Sequence, residues 1–218
     1  MSVLCCGHFC FMALYRGISV LFFVLLFSFS NAQLLDSISM SLKEKPRALF
    51  KLDGRGSFIS TRSASIWGFK LGVEHNGRVQ YGVGYSWLRN EISQEVDLNG
   101  EVVPSRVRFA YITPFFEYAF YQRKKWEVSI PVQVGLGQAW YEHKDENGEK
   151  HKIDKTWVFM YEPAMTVEYR VFRFFGAGFG VGYRLAIKTN QNMEENFTAP
   201  IYLIKLKLYL PEIFNVLH

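Results

Sequence analysis

Residues Trp126 to Trp140 read WEVSIPVQVGLGQAW. Trp126, Val128, Ile130, Val132, Val134, Leu136 and Trp140 fall on one parity, and Glu127, Ser129, Gln133, Gly135, Gly137 and Ala139 on the other. A repeat of two belongs to a β-strand, whose side chains point alternately to opposite faces. At about 3.3 Å per residue and a tilt near 45°, the two indoles stand roughly 30 Å apart along the membrane normal, the thickness of a bilayer's hydrocarbon core. One face is apolar with a tryptophan at each rim and the other is small or polar, as a membrane-spanning strand requires.

Seven more segments carry the same alternation. Phe50, Leu52 and Phe58 alternate with Lys51, Asp53, Arg55 and Ser57; Trp67, Phe69, Leu71 and Val73 with Gly68, Lys70, Gly72 and Glu74; Val79, Tyr81, Val83, Tyr85 and Trp87 with Gln80, Gly82, Gly84 and Ser86. After the opening stretch come Trp157, Phe159, Tyr161, Met165, Val167 and Tyr169 against Glu162, Ala164, Thr166 and Glu168. Phe175 to Leu185 alternates bulky residues with Gly176, Gly178, Gly180, Gly182 and Arg184, and Tyr202, Ile204, Leu206 and Leu208 alternate with Lys205 and Lys207. The fourth segment, Arg106 to Tyr121, is irregular. Ile112, Phe116, Tyr118 and Phe120 read as lipid-facing near one end and Val107, Phe109 and Tyr111 near the other, which implies a change of parity. Pro114, Pro131 and Pro163 lie inside strands and predict local bulges, because proline cannot donate to the ladder.

Connections alternate in length. Asn76-Gly77 is a hairpin signal, and the links at 122–125 and 171–174 are short; 89–105, 142–156 and 189–198 are long and polar. Asn99-Gly100 and Asn147-Gly148 mark loop tips and predict that the strands continue as hairpins beyond the membrane. Trp67, Trp87, Trp140 and Trp157 fall at the loop ends of their strands and Trp126 at a turn end, the layout of an aromatic girdle. A soluble ligand-binding barrel would turn its bulky parity inward and leave that sorting of tryptophans without a cause.

Arg16 precedes the apolar run Ile18 to Phe29 and then Ser30-Asn31-Ala32, the pattern of a cleaved secretory signal peptide over residues 1–32. Met12 is an alternative start. All three cysteines, Cys5, Cys6 and Cys10, precede the cleavage site, so disulfide and thiol chemistry are excluded from the exported chain. Residues 33–47, with Leu34, Leu35, Ile38 and Leu42 ahead of Pro46, form a periplasmic segment that is either a short amphipathic helix or a leader. The barrel is expected over 48–210, with a tail at 211–218. A formal net charge of +5 suits anionic lipid, and no nucleic-acid motif occurs.

The inward parity carries Lys51, Arg55, Lys70, Arg184, Lys205 and Lys207 against Asp53, Glu74, Glu127, Glu162 and Glu168. In an eight-stranded barrel, whose interior side chains just fill, these are expected to form a lumen salt-bridge network rather than a pore or a catalytic pair. His75 has no serine neighbour and reads as a satisfied interface residue. His143, Asp145, Glu146, His151 and Asp154 read as a solvated hairpin tip, with no fixed metal geometry. Arg106 and Arg108, where the fourth segment meets its loop, are candidate contacts for lipopolysaccharide phosphates.

Together these segments resemble the small eight-stranded outer-membrane barrel family typified by the OmpA transmembrane domain and OmpX. The resemblance covers nearly all of Leu49 to Leu210 and is architectural. It implies an all-β, eight-stranded, antiparallel up-and-down transmembrane barrel in a bacterial outer membrane, without cofactor or metal. The implied partners are outer-membrane lipid and lipopolysaccharide, the outer-membrane assembly machinery, and an unidentified extracellular or periplasmic protein. The function expected is non-enzymatic, structural or surface-interacting through the extracellular loops. The alternatives are a lipid-modifying enzyme acting by acyl transfer or hydrolysis, and a narrow channel.

Overall fold

A computed structural model describes residues 34–60, 62–98, 101–144, 149–189 and 196–212. The expected signal peptide at residues 1–32, the expected loop-tip pairs Asn99-Gly100 and Asn147-Gly148, Asp145, Glu146 and residues 213–218 lie outside the described residues. Residues 34–42 form a helix, in a unit separate from the one that begins at Glu44.

The second unit holds nine strands: β1 (Arg47–Ile59), β2 (Arg62–His75), β3 (Val79–Leu88), β4 (Ile92–Leu98), β5 (Glu101–Arg123), β6 (Trp126–Lys144), β7 (Lys150–Arg170), β8 (Phe175–Lys188) and β9 (Ala199–Tyr209). Every pairing is antiparallel between neighbours, and the sheet closes on itself because β1 pairs with both β2 and β9. β3 and β4 both pair with β5, β3 along Tyr118 to Ala110 and β4 along Val107 to Glu101. They are two pieces of one stave, so the barrel has eight staves and β4 with the start of β5 forms a hairpin beyond the wall. The β6–β7 hairpin likewise continues to Lys144 and Lys150. At the opposite end the turns are tight. Asn76 and Gly77 both take positive φ, 51° and 68°, the left-handed conformation that this residue pair tolerates best.

Burial follows the alternation. Val83, Leu136, Val181, Ile187 and Ile204 are more than half exposed on the outside, whereas Lys51, Asp53, Arg55, Glu162, Arg184 and Lys207 are each at most 3% exposed within. A protein that presents its aliphatic residues outward and its charges inward has its apolar solvent outside. This transmembrane barrel therefore inverts the soluble arrangement.

Two expectations fail at particular residues. Between Val107 and Glu117 the parity of β5 does not change: Val107, Phe109 and Tyr111 are buried at 0–2% on the same inward face as Phe115 and Glu117, and the row shifts only at Ala119/Tyr121, where Tyr121 turns outward. They belong to an apolar layer filling the loop end of the lumen with Ile59, Ile66, Leu88, Ile92, Tyr141, Val158, Met160 and Phe197. Phe109 stacks on Tyr111 at 4.9 Å and meets Phe197 at 5.1 Å. Hydrophobicity misled there because the inward row is apolar while the outward row carries Arg106, Arg108 and Ala110, the reverse of the rest of the wall.

The prolines produce no bulges. Pairing lapses at Pro114 against β6, at Pro131 against β7 and at Pro163 against β8, with the same register resuming beyond each lapse. Each proline keeps its place opposite the other neighbour, facing Val83, Glu117 and Val132 respectively. An antiparallel residue directs its N–H and C=O to the same side, so a missing N–H weakens one seam and spares the other. The register shifts fall elsewhere, at Ala119/Tyr121 and Ala139/Tyr141.

Truncating the ring at the centre of the apolar layer leaves a cavity between stacked partners. Phe109→Ala is expected to lower unfolding free energy by about 3 kcal/mol or more, measured by urea unfolding in lipid vesicles. A loss below about 1 kcal/mol would show that this layer is not packed.

Candidate functional site

Beneath the apolar layer the lumen is charged. Among the described residues six cations and six carboxylates are buried there: Lys51, Arg55, Lys70, Arg184, Lys205 and Lys207 with Asp53, Glu74, Glu117, Glu127, Glu162 and Glu168. The sixth carboxylate, Glu117, was missing from the sequence-derived set, although it alternates with the outward Phe116 and Phe120. With it the count of charges is balanced.

The pairs form three linked groups. Nearest the apolar layer, Asp53 accepts from Arg55 at 2.7 Å and Lys70 at 2.6 Å. Glu162 pairs with Arg184 and lies 3.6 Å from Arg55, while Gln133 accepts from Arg55 at 3.1 Å and donates to Glu162. The Tyr111 hydroxyl, reaching down from the apolar layer, accepts from Arg55 at 2.8 Å. In the middle, Glu117 sits between Lys51 and Lys205, 2.5 Å from each, and takes a further hydrogen bond from Ser129. The Phe115 ring stands beside both Lys51 and Lys70, at 5.7 and 5.0 Å, and joins the first group to the second.

Toward the turn end, Lys207 lies 2.5 Å from Glu74, 3.6 Å from Glu127 and 3.8 Å from Glu168. Glu127 and Glu168 are directly opposite across β6 and β7, an arrangement that repels unless a cation lies between. Gln80 donates to Glu127 and the Tyr209 hydroxyl to Glu168, each at 3.0 Å. Every stave contributes a charged or hydrogen-bonding side chain, β3 through Gln80 and β8 through Arg184. Glycines make the room required: a Cβ on Gly84 would stand 2.7 Å from Lys70 Cγ, and one on Gly176 2.8 Å from a Glu168 carboxylate oxygen. The void among Asp53, Lys70, Glu117, Gln133, Glu162 and Lys205 is about 10 Å³, no larger than one water needs.

A second cluster lies at the loop rim. Arg106 meets Glu91 at 2.5 Å, and Arg108 lies 3.4 Å from Glu142, which also meets Lys150 at 3.3 Å. Burial works against ionisation of Glu142. The Lys150 hydrogen bond and the Arg108 guanidinium outweigh it and hold the carboxyl below its ordinary value. Its contribution is thus present above the unfolded pKa and fades only as pH falls through the lowered folded one. Trp67 and Trp87 face each other across β2 and β3, with Arg89 over Trp67 at 4.8 Å. Trp157 and Trp126 are half exposed, and Trp140 is more covered, with Lys152 4.7 Å from its ring.

The described histidines are engaged by backbone or aromatic groups or lie on the β6–β7 hairpin. His75 is held between the Glu44 carbonyl at 2.8 Å and the Tyr81 hydroxyl at 3.3 Å, stacked on the Tyr81 ring. His143 and His151 face each other across the β6–β7 hairpin, and His143 contacts the Pro104 carbonyl at 3.0 Å. Among the described residues no cluster of three or more histidine, cysteine or acidic side chains is placed to hold a metal ion.

No protein-family model and no curated protein sequence matches the chain. Solved structures do. Neisserial surface protein A superposes with a TM-score of 0.55 at 13% identity, over 75% of this chain and 96% of its own. The Yersinia pestis attachment invasion locus protein Ail follows at 0.43 and 9%, covering 75% and 96%, and the N-terminal barrel domain of Pseudomonas aeruginosa OprF at 0.42 and 9%, covering 75% and 98%. At such identities the first match speaks to fold. The chain has the fold of the small eight-stranded outer-membrane β-barrels that its strand pattern resembles.

Proposed function

We propose that the protein is a non-enzymatic barrel of the bacterial outer membrane, exported by a cleaved signal peptide over residues 1–32. Its lumen is closed, and its role is structural or surface-interacting. The observation that carries this reading is the filling of the lumen: a layer of apolar side chains over twelve mutually compensating charges, with a void of no more than about one water among Asp53, Lys70, Glu117, Glu162 and Lys205. Ions crossing such a barrel would have to separate pairs buried in low dielectric, each break costing several kcal/mol. A lipid-modifying enzyme needs a base beside a nucleophile, and the best-placed base, His75, is occupied by a carbonyl and a tyrosine.

What remains available for interaction is the outer end. The β4–β5 and β6–β7 hairpins extend beyond the wall, and the rim beneath them carries Arg106 and Arg108 close to the tryptophans that mark the interface. Trp67, Trp87, Trp140 and Trp157 form the outer girdle, and Trp126 belongs to the inner one. Lipopolysaccharide phosphates are the chemistry these arginines suit, since a guanidinium presents two parallel donors to an oxyanion. The termini and tight turns then face the periplasm, from which assembly machinery would insert the barrel.

In planar bilayers the purified protein is expected to give no stable single-channel steps. Reproducible steps would contradict the closed lumen. Replacing Arg106 and Arg108 by glutamine is expected to weaken binding to lipopolysaccharide-containing vesicles severalfold, about 1 kcal/mol, because part of their charge is already met by Glu91 and Glu142. Unchanged binding would remove these two residues from the surface role.

A further inference from the structure

The turn end carries more positive charge than its contacts consume. A recess of about 530 Å³ lies there, lined by Lys125, Arg170, Val171, Phe172, Arg173 and Glu212. Among the described lining residues three cations face one carboxylate, and Glu212 approaches Arg173 at 3.9 Å. The recess is built by hydrogen-bonded backbone. The Lys125 carbonyl accepts from Arg170 N–H at 2.8 Å, Phe172 N–H donates to Phe175 at 3.0 Å, and Tyr209 N–H donates to the Phe174 carbonyl at 3.0 Å. The Arg170 guanidinium lies 4.1 Å from the Tyr209 ring and the Lys125 ammonium 5.8 Å from the Tyr169 ring, which limits where each charge can sit.

Apolar surface surrounds these charges. Phe172 is 59% and Phe174 41% exposed, stacked at 5.8 Å, and Trp126 is 51% exposed against Tyr169 at 4.8 Å. Exposed aromatic rings beside fixed cations describe a surface that meets water and hydrocarbon together. Lys125 and Arg170 also line a vestibule of about 300 Å³ inside the mouth. Its lining includes Arg47, Arg123 and Lys124, which have no carboxylate partner among the described residues. Glu74, Glu127 and Glu168 at the same vestibule would repel an anion moving further inward.

We propose that this recess holds the phosphate of an anionic phospholipid in the periplasmic leaflet. Lys125, Arg170 and Arg173 take the phosphate, and Val171 and Phe172 lie against the glycerol and the start of an acyl chain. The assignment rests on the membrane placement above. A soluble phosphate would use the cations but would have no use for the flanking rings.

The test uses the full chain with Trp126 as its sole tryptophan, the other four being replaced by phenylalanine. It is reconstituted with phosphatidylglycerol or phosphatidylcholine carrying brominated acyl chains, which quench tryptophan on contact. Phosphatidylglycerol is expected to be favoured at this site by about fivefold, with the preference lost when Lys125, Arg170 and Arg173 are all changed to glutamine. Because the tryptophan replacements could themselves weaken the fold, the wild-type chain is also released from mixed nanodiscs into a native mass spectrometer. It should retain phosphatidylglycerol in preference, less so with Arg173→Gln, a side chain 87% exposed and outside the packing. Equal quenching by the two lipids together with equal retention would overturn the lipid site while leaving membrane insertion intact. No quenching by either lipid would overturn the membrane placement itself. Loss of the preference in millimolar inorganic phosphate would assign the recess to a soluble anion and overturn the lipid.

Discussion

Twelve ionisable side chains withdrawn from water inside one narrow barrel must compensate each other, and this constraint governs the rest of the molecule. Moving any one of these ions out of water costs several kcal/mol, and attraction between them repays the cost only with close contacts and further hydrogen bonds. Glu117 meets that condition. It is shared by a β1 lysine and a β9 lysine and supported by Ser129, so three neighbourhoods of the wall are tied through one carboxylate. Lys207 is its counterpart near the mouth, a single ammonium among three glutamates from β2, β6 and β7. The backbone ladder closes the ring, but it is these contacts across the lumen that specify which residues must occupy the inward parity of each strand.

The two halves of the lumen then have different tasks. The loop end is apolar and packed, filled by rings and aliphatic side chains rather than by charge. The turn end opens into a basic vestibule, and the compensated charges begin just inside it. Arg55 links the two regimes, since its guanidinium bonds to Asp53 and Gln133 in the charged layer and to the Tyr111 hydroxyl in the apolar one. The functions proposed for this scaffold accordingly fall at the ends: hairpins and arginines at one, the cationic recess at the other.

Most of the wall was legible because a lipid-facing strand cannot hide its periodicity. Where the inside is charged and the outside apolar, as in Phe50 to Phe58 or Tyr202 to Leu208, two residues suffice to set the face. Legibility failed in β5, where the inward Val107, Phe109 and Tyr111 are more apolar than the outward Arg106, Arg108 and Ala110, so that only packing inside a closed ring decides which row faces in. The same irregular strand obscures Glu117, which lies on its inward row. The prolines misled for a different reason. Their lost donor affects one seam of an antiparallel strand, and a sequence does not state which neighbour that seam faces. Arg170 and Arg173 were invisible as a site because the turn that places them beside Lys125 is defined by backbone contacts across β6, β7 and β9.

The direct test of the compensated lumen is the unfolding free energy of Glu117→Gln in lipid vesicles. This change keeps the size of the side chain and strips Lys51 and Lys205 of their shared partner. A loss of about 3–5 kcal/mol is expected, the usual result of leaving a buried charge uncompensated. A loss below about 1 kcal/mol, with the barrel still folded, would mean that the lumen is hydrated and that its ion pairs do not hold the staves together.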